Sequence, residues 1–176
     1  MEKVYEYADF ITWVDEIRCE LIEGTRKIMA GVSEWHAAVS WKLTVLIDGV
    51  LKKIPFSKYF VFHAPFDVIL FPEEELYKSK TVVQPDFGIC LKEKRKGRVI
   101  IGAPELIIEV TSRDIDYDLI VKRELYQKAG VKEYWVIIPK EEIIIKYVFN
   151  EETGLYKKGI HYSLEDNKKI TSDVIE

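Results

Sequence analysis

Two acids and one lysine occupy positions that a folded chain would normally give to apolar side chains. In PELIIEVTS (104–112), period-two alternation puts Leu106, Ile108 and Val110 on one strand face and Glu105, Ile107, Glu109 and Thr111 on the other. Glu109 therefore projects from a run that otherwise reads as a buried strand. In VVQPDFGICL (82–91), Asp86, Gly88 and Cys90 share a face opposite Val83, Phe87, Ile89 and Leu91, so a second carboxylate leaves a second predicted central strand. Gly88 beside it either leaves room for a phosphate or a backbone, or marks a bulge. Farther on, Ile115, Leu119, Lys122, Tyr126 and Ala129 fall on one helical face, where Lys122 interrupts an apolar stripe. A carboxylate drawn out of water is costly unless a cation, donors or a raised pKa compensates. Asp86 and Glu109 can share one cation, and Lys122 either meets their charge or runs out to solvent along its methylene stem.

The elements that would carry these residues follow from patterning. A short helix is expected over 9–17, and CELIEG and TRKIMAG read as two strands turning at Glu23-Gly24. Ser33 offers an N-cap for a helix from Glu34 to about Lys53, with Trp35, Val39, Leu43, Leu46, Ile47 and Val50 as its apolar positions and Pro55 as its stop. Strands are predicted over 59–63, 66–71, 82–91 and 106–111, the last followed by a helix capped by Asp114 or Asp116 and closed at Ala129-Gly130. EYWVII and EIIIKYVF form a further hairpin around Pro139-Lys140, and the polar stretch after Tyr156 contributes edge strands. This order describes a mixed α/β or α+β sheet flanked by helices.

The 176 residues are the size of one domain, taken as a single unit over 1–176. Charged residues at 32% beside a 48% hydrophobic content fit a compact water-soluble protein. No stretch has the length and apolarity of a membrane span, the N-terminus lacks a secretory pattern, and Cys19 and Cys90 have no zinc-type spacing. A reduced cytoplasmic protein is expected. A net charge of -4 disfavours non-specific adhesion to nucleic acid over the whole surface, so positive charge must be local. KEKRKGR (92–98) is the candidate, either as a mobile loop against a phosphate backbone or as a solvated turn. Trp13, Trp35, Trp41 and Trp135 are expected in the core.

QPD at 84–86, GAPELIIEVTS at 102–112 and KRELYQKAGVKEYWVI at 122–137 resemble the Uma2-type (DUF820) branch of the PD-(D/E)xK nucleases. The resemblance spans nearly the whole chain, with ELIEG at 20–24, His36 early in the long helix and APFDVIL at 64–70 in that family's order. It implies a restriction-endonuclease-like fold: a central mixed sheet flanked by helices, with an N-terminal β-hairpin. It further implies Asp86 and Glu109 as motif acids around a divalent ion, and hydrolysis of nucleic-acid phosphodiester bonds, DNA first. Where the broader superfamily has lysine two positions after the acid, this chain has Thr111; in this branch the lysine comes from the following helix, here Lys122. Glu20 matches the acid of the family's first hairpin and is carried over as a further metal ligand or shaper of the site.

Hard carboxylate oxygens suit Mg²⁺ or Mn²⁺, and Lys122 is expected to orient the attacking water or stabilise charge building on the phosphate. His36, Gln84 and Thr111 are candidate substrate contacts, with a capping or packing role as the other reading of His36. Asp67 faces either the site or a polar partner. Two-strand cleavage calls for two sites related by a two-fold axis, so a homodimer is expected. The competing reading is a catalytically inactive module of the same fold, in which Asp86, Glu109 and Lys122 form a buried ion network and the surface serves binding or assembly.

Overall fold

The computed structural model describes residues 3–13, 18–29, 31–51, 58–112, 114–166 and 168–174. Helix α1 (Tyr7–Phe10) comes earlier and is shorter than expected, because Asp9 folds back within the first turn to accept the Glu6 N–H at 3.0 Å instead of starting a later helix. Residues 14–17 of the expected helix lie outside the described ones. Strands β1 (Cys19–Ile22) and β2 (Thr25–Ile28) are the predicted hairpin, turned by Glu23 (φ 48°) and Gly24 (φ 81°) in the paired left-handed conformation that matches strand twist.

Helix α2 (Glu34–Leu51) starts as expected, with Ser33 Oγ accepting the His36 N–H at 3.2 Å; Pro55 lies outside the described residues. Only Val39, Leu43 and Ile47 of its apolar positions pack inward. These three are four residues apart, on one line of the helix; Trp35, on that line one turn earlier, and Val50, in the last turn, lie at the two ends of the helix and are exposed, as is Leu46. Trp41, at 70% exposed, is also outside the core, and the expectation of four core tryptophans fails for it and for Trp35.

The strands continue as β3 (Tyr59–His63), β4 (Asp67–Ile69), β5 (Val82–Val83), β6 (Phe87–Leu91), β7 (Arg95–Lys96), β8 (Val99–Ile101) and β9 (Leu106–Val110). The strand expected over 82–91 is thus two strands. Pro85, with no N–H for a ladder, falls between them. Of the two readings of KEKRKGR, the solvated turn is the one found: the largely exposed run makes a tight helical turn over Lys92–Lys94 and then β7, which turns at Gly97-Arg98 to pair with β8. After β9 the chain makes a π-helical turn (Tyr117–Lys122) running into α3 (Arg123–Ala129), then β10 (Glu133–Ile138), β11 (Ile143–Asn150), β12 (Leu155–Tyr156) and β13 (Ile160–Ser163).

Among the described residues these strands form two mixed sheets, ordered β2-β1-β5-β4-β8-β7 and β12-β11-β10-β9-β6-β3, with β13 also on β11. The N-terminal hairpin therefore forms one edge of the first sheet, paired through β1 with β5, and does not extend the second. Strands β9 and β10 run parallel, and the crossover between them carries α3 over the face that bears Glu109. One core, including Val68, Val83, Ile100, Ile107, Tyr126 and Val136, lies between the sheets and α3. A second, with Phe87, Ile89, Leu106, Ile108 and Val110, lies beneath α2, as the alternation of β9 predicts. A third joins Leu21, Ile69 and Val82 to Tyr7 of α1.

The space above Gly88 is occupied by the ring of Phe62, its cross-strand partner on β3, so no phosphate approaches there. A Cβ at Gly88 would overlap that buried ring. We therefore expect Gly88→Ala to lower stability by about 1–3 kcal/mol, read from chemical denaturation. Combining it with Phe62→Leu should recover part of the loss, and an unchanged midpoint in the single variant would show that the ring does not fill the gap.

Candidate active site

Four elements from the two sheets and the crossover helix bring acids to one place. Glu20 comes from β1, Glu109 from β9, Asp86 from the joint between β5 and β6, and Lys122 from the end of the π turn. Asp86 and Glu109 clasp each other's strands: the Asp86 N–H donates to Glu109 Oε2 at 3.3 Å, and the Val110 N–H donates to Asp86 Oδ2 at 2.8 Å. These bonds extend the β6–β9 pairing by one position and hold the two carboxylates side by side.

Lys122, 3% exposed, donates to Glu109 Oε1 at 2.8 Å and lies 3.1 Å from Glu20 Oε1. It neither snorkels nor points to solvent. Glu20 is held further by the Gln84 N–H at 2.9 Å and the Tyr117 hydroxyl at 3.2 Å, and Glu109 by the Tyr126 hydroxyl at 2.7 Å. His36 Nε2 lies 2.9 Å from Asp86 Oδ1. All of these residues except Gln84 and Tyr126 line one open cavity of about 180 Å³, with Asp118, Lys27 and Arg18 on its walls.

Of the sequence candidates, Asp86, Glu109, Lys122, Glu20 and His36 converge. Gln84 reaches the site through its backbone only; its side chain turns away to Asp67. Thr111 is buried in a small cleft beside Trp35 and Pro139, and Ser112 lines the cavity in its stead. Tyr117, Asp118 and Tyr126 were not singled out as site residues from the sequence. The signal was present, since Asp118 and Tyr126 flank Lys122 at four residues on either side, the spacing of neighbours on one helix face.

Charge in the cavity is unbalanced. Burial raises the Glu109 carboxyl to about 8; Lys122 pulls it down while Asp86, Asp118 and Glu20 push it up. Burial likewise raises Asp118 to about 6, again opposed by Lys122 and reinforced by Asp86 and Glu20. For Lys122 burial favours the neutral amine, but Glu109, Glu20 and Asp118 outweigh it and hold the pKa well above the usual lysine value. For Asp86 burial is overcome by the hydrogen bond and charge of His36, the Val110 N–H and Lys122, and its pKa is lowered.

Four acids around one lysine and one histidine form an oxygen-rich donor set short of positive charge. Among the described residues no group of three or more His, Cys, Asp or Glu side chains is arranged to hold a metal ion. Mg²⁺ and Mn²⁺ do not need three, since Mg²⁺ keeps several waters and commonly takes one or two carboxylates plus substrate phosphate oxygens. The neighbouring carboxylates of Asp86 and Glu109 fit that requirement. Glu20 faces Lys122 and the Gln84 N–H, and so is better placed to hold the lysine than the ion.

Two mixed sheets with the crossover helix over the acid-bearing strand are the architecture of a restriction-endonuclease-like nuclease fold. Residues 7–174 match the model of the Uma2 family, whose description is "Putative restriction endonuclease", and the chain belongs to that family. A crystal structure described as a "putative nuclease belonging to DUF820" from Anabaena variabilis superposes with a TM-score of 0.69 at 18% identity, covering 95% of this chain and 89% of that one. It shares the fold. The type IIG restriction endonuclease BpuSI aligns with a TM-score of 0.35 at 16% identity over 67% of this chain and 11% of its own, too loose a likeness to carry an argument. No curated protein matches the sequence. Among the described residues no helix is long and apolar enough to cross a membrane.

Lys122→Met leaves buried acids without their ammonium, and we expect it to cost about 3–5 kcal/mol near neutral pH. The carboxyl pKa values then rise further in the folded state than in the unfolded one, so the native state binds more protons and gains stability as pH falls. The deficit relative to wild type should shrink between about pH 8 and pH 5. Urea unfolding at both values measures it; a deficit that grows on acidification would contradict the charge excess.

Proposed function

We propose that the protein is a Mg²⁺- or Mn²⁺-dependent endonuclease that hydrolyses phosphodiester bonds, with DNA as its main substrate. The observation that carries this reading is the convergence of Asp86, Glu109 and Lys122, from three distant segments, on one open cavity with more negative than positive charge. Asp86 and Glu109 would hold the ion. When bound it would neutralise the substrate phosphate and acidify a coordinated water. The chain's own residues do the rest. Glu20 and Tyr117 hold one side of Lys122's surroundings and Tyr126 fixes Glu109, so the ammonium is aimed without rearrangement. From there Lys122 would orient the attacking water or stabilise charge on the phosphate oxygens. His36, braced on Asp86 at the cavity edge, would donate to a phosphate oxygen. Arg18 and Lys27 on the walls supply the local positive charge that the net charge of -4 withholds elsewhere.

Paired cleavage of a duplex is part of the proposal, and with it a homodimer. Helix α2 supports this, leaving Trp35, Trp41, Val45, Leu46 and Val50 exposed to solvent. A second reading, a metal-free ion network in an inactive binding or assembly module, is favoured by one fact: Lys122, Tyr126, Tyr117, His36 and backbone N–H groups already reach the carboxylates.

Incubation with plasmid and Mg²⁺ or Mn²⁺ separates the two. Wild type is expected to cut, and Asp86→Ala and Glu109→Ala to lose at least about 100-fold with folding retained. Failure of wild type to cut DNA or RNA, together with no Mn²⁺ heat in calorimetry that Glu109→Ala abolishes, would leave the module reading standing. Sedimentation velocity is expected to give twice the chain mass, lowered by Leu46→Glu on α2; a monomer throughout would remove two-strand cleavage from the proposal.

A further inference from the structure

A second cavity of about 650 Å³ opens next to the site. Its walls include Phe10 and Trp13, whose rings meet at 5.8 Å with Arg26 over that of Trp13, then Arg18 and Arg98, and the polar pair Asp67 and Gln84. The two spaces are joined by structure. Arg18 lines both, and Gln84, whose side chain faces this cavity, gives its backbone N–H to Glu20 at 2.9 Å two residues before Asp86.

The polar pair has an unusual polarity. Gln84 Nε2 donates to Asp67 Oδ1 at 2.9 Å, which fixes the amide with its carbonyl oxygen free, and no donor among the described residues reaches that oxygen or Asp67 Oδ2. Asp67 is half-buried; burial raises its pKa, and the Gln84 bond offsets this only in part. The cavity therefore presents two adjacent acceptors, one of them anionic, at which donors of a ligand would take the place of water. Around them are aromatic surface for a flat group and, at the exposed rim, two arginines for phosphate.

We infer that this cavity is a subsite for an unpaired nucleobase, guanine, carried by a nucleotide beside the bond that is cut; its place in the reaction rests on the nuclease reading above. Phe10 and Trp13 supply the stacking wall, since base on aromatic stacking is tolerant of sequence. Discrimination comes from Asp67 and Gln84. The pairing edge of guanine presents its ring N–H and exocyclic amine as adjacent donors, matching two acceptors. Adenine and cytosine each put an acceptor beside their single amine and would leave one oxygen of the pair facing another lone pair. Thymine and uracil have one donor between two acceptors and fit worse.

Ligand-observed NMR titration of 5′-GMP and 5′-AMP into the full chain, without divalent cation, tests this apart from cleavage. Wild type is expected to bind GMP about tenfold more tightly than AMP. Asp67→Asn, which keeps the shape and replaces one acceptor by a donor, should abolish that preference, and Trp13→Ala should weaken both nucleotides. If Trp13→Ala does not fold, the wild-type preference and its loss in Asp67→Asn still decide. Equal binding of the two nucleotides, no binding of either, or a preference unchanged in Asp67→Asn overturns the subsite. A protein that cuts plasmid without preferring GMP loses the subsite and keeps the nuclease reading; one that prefers GMP but cuts nothing keeps the subsite and loses the nuclease reading.

Discussion

The ammonium of Lys122, held out of water between Glu20 and Glu109, ties this molecule together. Glu20 belongs to one sheet, Glu109 to the other, and Lys122 to the helix that crosses over between β9 and β10. Burying any one of these charges alone would be costly, and each is tolerable only while the other two are in place. The sheets and the helix are therefore locked in one relative arrangement by electrostatics as well as by the apolar core between them. A buried ion cluster of this kind contributes little net stability against an apolar replacement of the same shape; what it fixes is geometry.

A second buried lysine shows what a structural ion pair looks like in the same protein. Lys146 on β11 meets Glu133 on β10 at 3.3 Å, with the exposed Asp173 at 3.0 Å and the Thr171 carbonyl at 2.7 Å, while Glu133 also takes the Trp135 indole and the Asp173 N–H. One buried acid faces one buried base there, and the contacts fasten the segment after β13 to the central sheet. Around Lys122 the balance differs. Glu20, Glu109, Asp86 and Asp118 share it with His36, the cluster opens into a cavity, and Glu109 is pushed up to about 8. Both lysines are buried, but only the one at the cavity leaves anionic oxygen in surplus, the condition that invites a cation.

The backbone contributes two departures from regularity at this place. Pro85 interrupts the chain between β5 and β6, so one segment serves both sheets and Asp86 sits at the joint between them. The π-helical turn over Tyr117–Lys122 changes the helical phase just before α3, and such insertions recur at functional sites because they re-aim side chains without ending the helix. Tyr117 thereby reaches Glu20 while Tyr126, four residues beyond Lys122, reaches Glu109.

Periodicity along the chain was enough to read which side chains share a face. The split of β9 into Leu106, Ile108 and Val110 against Ile107 and Glu109, the inward face of Lys122 and Tyr126, the Glu23-Gly24 turn and the Ser33 cap all rest on neighbours within a few residues, where backbone geometry alone sets direction. Distance in sequence hid the rest. That 82–91 divides between two sheets, that Phe62 fills the gap over Gly88, that 95–101 forms a hairpin, that α2 keeps Trp35 and Trp41 outside, and that Gln84 gives its backbone to the site and its side chain to Asp67 are outcomes of packing between remote segments. Local spacing aimed Glu109 and Lys122 toward the interior. Their meeting with Glu20 required two sheets and a crossover helix to close on one another, because a buried charge is settled by whatever the whole fold brings within hydrogen-bond reach.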